Sequence, residues 1–445
     1  MPKIKFSDLR NKYFLALSGN GMLAVLGIVI MGLLLRSLDK TDVGIWFFFL
    51  NLYALGDAIR NGFLQTATIK FYSGTTPERA QNVLGSVWYL AILITGSVML
   101  VDLVAMAFVS YISSNVIVVS IQWLGVTFIS SLPFTIVFWI LLAEEKYGKI
   151  LLLRLVNSGS MILYIIVLML LHKMTLQSLL WCNFLTNCLT SLVGIITGLS
   201  RFQYITKRTK ACVNEIIQFG KYGFGSSLVS KLLSNTDTFL ITFLLGPAAL
   251  AIYNIPLRLM EIIEIPLRTF VSTAMSEMAA LGSQENKQNI VRILNKYAGM
   301  LTVIFIPLTI LALLFANLAI YLLAGHKYMG TEAANIYRMF MVLALFYPVD
   351  RFSGLTLDML HQPKINFHKV MVMLAACIIG DVAGVAIFHN IYGIAAGSYL
   401  TVLCGLAFAY LQLNRFIKFS FRDILTTGYA ECRHLVQKAL RKQPV

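Results

Sequence analysis

From Tyr13 almost to Phe416 the chain is a succession of apolar runs separated by short polar stretches. A helix of about 20 apolar residues rises through the ~30 Å of a bilayer's hydrocarbon core. The pattern predicts twelve such spans, over 13-35, 43-66, 83-109, 116-142, 150-171, 176-200, 218-245, 249-275, 298-323, 334-358, 370-388 and 392-414. Turn and breaker residues close several of them, as at Gly246-Pro247 and His361-Gln362-Pro363. Pro133, Pro256, Pro266, Pro307 and Pro348 fall inside spans, where each removes a backbone hydrogen bond and can bend the helix. Ordinary kinking is one reading of these prolines; bending points for alternating access are the other.

Composition agrees with this pattern: 58% of residues are hydrophobic, 13% are charged, and the mean hydropathy is +0.77. Little chain is left for a soluble domain. A net charge of +16 would suit a nucleic-acid partner, so the placement of the basic residues matters. Twenty-five of them fall on one side of the predicted spans, in groups such as Arg201, Lys207, Arg208, Lys210 and Lys221, or Lys364 and Lys369. Only Arg36, Lys40, Lys173 and Lys327 fall on the other. That asymmetry is the positive-inside pattern and leaves no need for nucleic acid. It predicts an even number of spans with both termini cytoplasmic. The basic start followed by a long apolar run reads as an uncleaved signal anchor. The six cysteines lie in spans or on the basic side and form no CxxC pair, so neither disulfides nor a metal site is expected.

The longest connection on the basic side, Arg201 to Lys221, predicts an N-terminal six-helix lobe over 1-210, a C-terminal one over 211-415, and a tail over 416-445. At an offset of 207, Gly44-Ile45-Trp46 lies over Ala251-Ile252-Tyr253 and Thr66 over Thr273, the trace of an internal repeat. Six spans return the chain to its starting side, so the second copy would be inserted the same way up, with a central cavity between the lobes. The tail mixes Phe421, Ile424, Leu425, Leu435 and Leu440 with Arg422, Arg433, Lys438 and Arg441, and reads as a basic amphipathic helix lying at the membrane surface.

Charges inside the spans are costly in lipid, at ~2.5–3.5 kcal/mol each near a helix centre, so their positions carry information. Arg258, Glu261, Glu264 and Arg268 fall on one face of the eighth span. Ser227, Lys231, Ser234, Thr238 and Thr242 form a polar stripe on the seventh, with Asp237 beside it. Those faces call for a wet cavity or a polar interface. The planar, permanently charged guanidinium suits phosphate oxygens, which makes Arg60, Arg258 and Arg268 candidate substrate ligands. Lys231, Asp237, Glu261, Glu264 and Asp57 are candidates for cavity lining or for a coupling ion. The alternative for the arginines and for Asp57, Glu261 and Glu264 is pairing within a helix, since Asp57 with Arg60, Arg258 with Glu261 and Glu264 with Arg268 have the required spacing, whereas Lys231 and Asp237 would instead hold the seventh span to a neighbour. Arg154, Asp102, Arg338, Asp350, Arg351 and Asp381 are given no role beyond packing.

Two stretches, Leu33 to Trp46 and Asn235 to Tyr253, resemble the turn-plus-Gly-aromatic pattern after the first and seventh spans of the polysaccharide-transport family. That family belongs to the multidrug/oligosaccharidyl-lipid/polysaccharide (MOP) exporter superfamily. Tyr253 to Pro266 also resembles the eighth span of lipid II flippases, in which an arginine in this setting lines a cationic cavity; this implies substrate contact for Arg258. Asp57 to Gly62 implies the same for Arg60. Those flippases have fourteen spans and this chain twelve, which argues for a different lipid-linked saccharide. The resemblance implies a flippase for an undecaprenyl-pyrophosphate-linked O-antigen, capsule or exopolysaccharide repeat unit in the bacterial inner membrane. Its partners would be the lipid-linked saccharide, membrane lipids, H+ or Na+, and other polysaccharide-assembly proteins. No GxxxxGK[ST] or DxD signature occurs, so no cofactor and no nucleotide chemistry are expected. An ion-coupled drug or cation antiporter, a membrane glycosyltransferase or polymerase, and a structural scaffold are the competing readings.

Overall fold

The computed structural model describes residues 6-280, 287-417 and 420-441, with side chains from residue 21 onward at all but scattered positions. Among these residues the fold is all-α, a polytopic membrane bundle with no strand. The helices are α1 (Phe6–Ser37), α2 (Lys40–Tyr72), α3 (Pro77–Ala107), α4 (Asn115–Ala143), α5 (Tyr147–Leu170), α6 (Leu176–Ile196), α7 (Lys210–Leu244), α8 (Pro247–Ala280), α9 (Lys287–Ala324), α10 (Ala333–Ala344), α11 (Tyr347–Met359), α12 (Pro363–Phe388), α13 (Ile391–Leu413) and α14 (Phe421–Arg441). Eight are long and apolar enough to cross a membrane, and α10 with α11, joined at a 45° bend, passes the same test as a pair. Pro348 sits in the first turn of α11, where the interrupted ladder makes it tolerable. The three remaining predicted spans fall on the long helices α1, α7 and α8.

Helix boundaries depart from the apolar runs mainly on the side of the basic loops. There α2 continues to Tyr72, α3 starts at Pro77, α7 at Lys210 and α12 at Pro363, up to two turns beyond the apolar segment. A helix ends where its backbone is capped rather than where its hydrophobicity stops. At α3 the Thr76 hydroxyl accepts from the Arg79 amide at 3.4 Å and Pro77 occupies the first turn. The repeat register is kept by the helices themselves: α1 and α7 end at Ser37 and Leu244, and α2 and α8 begin at Lys40 and Pro247.

The described residues divide into two compact units. Unit 1 runs to Thr242 and includes Gly246–Ala251; unit 2 holds Phe243–Leu245 and the chain from Ile252 onward. Contacts thus group α7 with the six helices before it. The core of unit 1 is built by Leu64, Leu84, Val87, Trp88, Ile136 and Trp139 of α2, α3 and α4 with Ile216 of α7. In unit 2, Tyr253 meets Phe340 edge to face with ring centres 5.5 Å apart, while Phe305 and Phe352 are fully buried.

Proline 133 lies in mid-α4 and leaves a gap in its hydrogen-bond ladder. Ser191 of α6 fills the neighbouring position: its hydroxyl accepts from the Phe134 amide at 3.2 Å and donates to the Ser130 carbonyl at 2.6 Å. The six cysteines are free thiols. Lys369, counted above among loop charges, is instead buried at 4% exposure, ion-paired to Asp350 at 2.7 Å and donating to the Asp350 carbonyl at 2.8 Å. The first turns of α12 pack on α11, so a lysine near the end of a span is taken into unit 2 rather than left in the loop.

Candidate functional site

In unit 1, α2 and α7 line an open cavity of about 560 Å³. Its wall includes Tyr53, Asp57, Asn61, Gln65 and Thr66 from α2 and Ser227, Ser230, Lys231 and Ser234 from α7. Tyr53, Asp57, Asn61 and Gln65 recur every four residues and share one helical face, so the polar stripe predicted on the seventh span has its counterpart on the second. Gly62 lets the two helices approach: a Cβ there would lie 2.8 Å from Ser227 Cβ and 3.1 Å from Phe224 Cα.

Asp57 is the best-held group of this wall. One carboxylate oxygen accepts from Arg60 at 2.6 and 3.1 Å, and the other from Asn61 Nδ2 at 2.5 Å. Asn61 in turn accepts from the Trp139 indole at 2.9 Å, which orients its amide. Arg60 does not line the cavity. It is fully buried against α4, where it donates to Ser131 Oγ and Thr135 Oγ1 at 3.1 Å each and to the Phe128 carbonyl at 3.3 Å, with the Phe128 ring 4.6 Å away. A buried guanidinium is tolerable only when its donors are met, and this one has five hydrogen bonds. Lys231 shares the cavity with Asp57, but no ion pair joins it to a carboxylate among the described residues.

In unit 2 the charged face of α8 is arranged differently. Arg258 pairs with Glu261 at 2.5 Å and Arg268 pairs with Glu264, both within the helix. Arg258 is 31% exposed, and its Nε is a buried donor with no partner among the described residues. Arg268 is 78% exposed. Asp237, on α7 in unit 1, is half-buried beside Thr238 and lies outside the cavity wall. The remaining charges within the spans have local partners: Asp102 accepts from the Gly125 amide at 3.0 Å, Arg154 covers the Phe138 ring at 4.7 Å, Arg338 donates to the Leu313 carbonyl at 3.2 Å, and Asp381 accepts from the Cys377 thiol at 3.5 Å. Arg351 is exposed.

A second cavity, of about 600 Å³, lies within unit 2 and is almost wholly apolar. It is walled by Ile306, Val349, Leu406 and Tyr410 and closed by Phe421, Ile424 and Leu425 of α14. Helix α14 crosses α9 where Gly299 and Gly428 meet; a Cβ on Gly428 would fall 2.1 Å from the Gly299 carbonyl carbon. The tail helix is therefore packed on unit 2 as far as it is described, while Leu435, Val436, Lys438, Leu440 and Arg441 lie outside the described side chains and Lys442 outside the described residues.

Sequence reading overlooked Asn61, Ser131 and Thr135, although Thr127, Ser131 and Thr135 recur every four residues on α4, a polar stripe with nothing in lipid to satisfy it. It also passed over the cluster that ties the loop after α6 to unit 1. There Glu144 accepts from Tyr72 at 2.6 Å, pairs with Lys146 at 2.7 Å, and is bonded by Arg201, which also meets the Tyr72 hydroxyl. Burial alone would raise the Glu144 pKa, but Lys146, Tyr72 and Arg201 together hold it below its ordinary value.

The profile of the family described as "Polysaccharide biosynthesis protein" matches residues 33-333. Among solved structures, the lipid II flippase MurJ in an inward closed conformation superposes with a TM-score of 0.74 at 14% identity, covering 97% of this chain and 94% of that one. An inward-facing multidrug resistance MATE family transporter of the MOP superfamily gives 0.66 at 12% identity over 88% and 94% of the two chains. A MOP superfamily transporter from Pyrococcus furiosus, described as having a binding pocket of reversed polarity, gives 0.59 at 13% identity over 92% and 95%. No curated protein sequence matches the chain. The fold is that of the MOP superfamily transporters.

Proposed function

We propose that this chain, which belongs to the polysaccharide biosynthesis protein family, is a flippase that moves a lipid-linked oligosaccharide across the bacterial inner membrane by alternating access. Its substrate in this reading is an undecaprenyl-pyrophosphate-linked O-antigen, capsule or exopolysaccharide repeat unit. The observation that carries the reading is the cavity between α2 and α7. A bundle of apolar spans keeps open some 560 Å³ walled by hydroxyls, amides, a carboxylate and an ammonium. Polar groups on membrane-spanning helices cost free energy, so their retention supports a polar cargo.

Arg258, partly exposed and with one unpaired donor, is the proposed ligand for phosphate oxygens, and the exposed Arg268 assists in gathering the anion. Arg60 serves through Asp57, which it holds in the cavity wall. An H+ or Na+ gradient is the proposed driving force, acting at Asp57, Asp237, Glu261 or Glu264. The chain would work as two six-span lobes, 1-210 and 211-415, with both termini and the 416-445 tail cytoplasmic. Other polysaccharide-assembly proteins would supply its substrate and take up its product.

Likeness to a multidrug transporter favours a second reading, a cation antiporter. The ammonium of Lys231 in the cavity wall weighs against an organic cation as cargo. Deleting the gene and analysing undecaprenyl-linked intermediates separates the two. Build-up of a saccharide-bearing lipid on the inner leaflet is expected. Unchanged lipid pools with altered drug tolerance would support the antiporter instead.

A further inference from the structure

We infer that the α2–α7 cavity is a subsite for an acidic sugar residue, a hexuronate, whose carboxylate is bound by Lys231. The inference rests on the flippase reading and narrows the class of repeat unit carried.

Three features of the wall lead there. The first is charge. Asp57 is neutralised by the buried Arg60, so Lys231, which makes no close ion pair with a carboxylate among the described residues, leaves the cavity wall with an excess of one positive charge. A single ammonium is a point charge matched to a single carboxylate. A pyrophosphate with its several negative charges would call for guanidinium forks, and Arg60, which neighbours the wall, spends its hydrogen bonds on Asp57 and α4.

The second feature is the neutral remainder of the wall. Gln65, Thr66, Ser227 and Ser230 each both donate and accept hydrogen bonds, as sugar hydroxyls do. A phosphate only accepts, and would leave those acceptors unmet. The third is Asp57 itself: a wall carboxylate accepts from a sugar hydroxyl. Its orientation is fixed by Arg60 and by the Trp139–Asn61 relay before any ligand arrives, so little ordering is left to pay for on binding. The volume, about 560 Å³, is within the range of small-molecule sites.

The test uses the full-length protein in lipid nanodiscs and isothermal titration with trigalacturonate, its methyl ester, galactotriose and inorganic pyrophosphate. Trigalacturonate is expected to bind roughly tenfold or more tightly than galactotriose. Esterification, which removes the charge without touching the protein, should abolish that preference. Lys231→Gln should abolish it as well, and Lys231→Arg should keep it. Equal binding of acid and ester, a preference that survives Lys231→Gln in folded protein, displacement of trigalacturonate by equimolar pyrophosphate, or no saccharide binding at all would each overturn the inference. Failure of the flippase reading looks different: the acid preference would stand while gene deletion left lipid-linked intermediates unchanged.

Discussion

Helices α2 and α8 carry related charge patterns with different fates. Each has an acid and an arginine three residues apart, Asp57 with Arg60 and Arg258 with Glu261, and α8 adds Glu264 with Arg268. On α2 the arginine is completely buried, because α4 offers two hydroxyls and a carbonyl to meet it. On α8 both pairs are confined to the helix and partly or largely exposed. Spacing sets who can pair, but the neighbouring helix decides what the pair is worth. A buried pair is a structural commitment that fixes one carboxylate in a cavity wall, whereas an exposed pair can exchange its partner for a ligand at little cost.

The sharpest way to break this contrast is to remove the acid on each helix. Asp57→Ala leaves a guanidinium uncompensated in the interior and should cost ~3–5 kcal/mol, read as a large fall in melting temperature of the purified protein. Replacing both partners, Asp57→Leu with Arg60→Met, should recover much of that loss, because no charge is then stranded. Ser191→Ala probes the same buried polar layer. Without the hydroxyl the Phe134 amide and Ser130 carbonyl lose their bridge, and ~1–3 kcal/mol of stability should go with it.

Glu144 sharpens the contrast at the edge of unit 1 through pH. Its folded pKa is depressed below the ordinary 4.5, so its contribution is complete above that value and is lost as pH falls through the folded pKa. Melting temperature followed from pH 7 to pH 3 should therefore show an acid-side loss that Glu144→Gln reduces. The smallest effects belong to α8: Glu261→Ala and Glu264→Ala should each change stability by no more than about 1 kcal/mol. A loss there as large as that for Asp57→Ala would remove the distinction between the two helices.

Much of the fold was legible because bilayer thickness leaves a strong imprint on sequence. Each apolar run read from the sequence falls on a helix or, for 334-358, on the bent pair α10 and α11, and the offset of 207 read from a few residues matches the helix ends at Ser37 and Leu244. What hydropathy does not record is capping, which is why α3 begins at Pro77 rather than six residues later. Of the cavity's polar residues, Ser227, Lys231 and Ser234 were visible as a stripe on the seventh span and Asp57 as a charge within the second. Their assembly was not visible, because whether Arg60 faces a cavity or α4 depends on the rotation of α2 about its axis. Lys369 shows the same limit: a lysine near a span end reads as a loop charge until the packing of α12 on α11 takes it inside.

The central claim is that the polar cavity of unit 1 lies on the path of a lipid-linked saccharide. Its most direct test is the leaflet distribution of undecaprenyl-linked intermediates in cells whose only copy of the protein carries Lys231→Gln, with expression and melting temperature confirmed unchanged. Accumulation on the inner leaflet, relieved by Lys231→Arg, is the predicted result. A wild-type distribution in the Lys231→Gln cells would contradict the account.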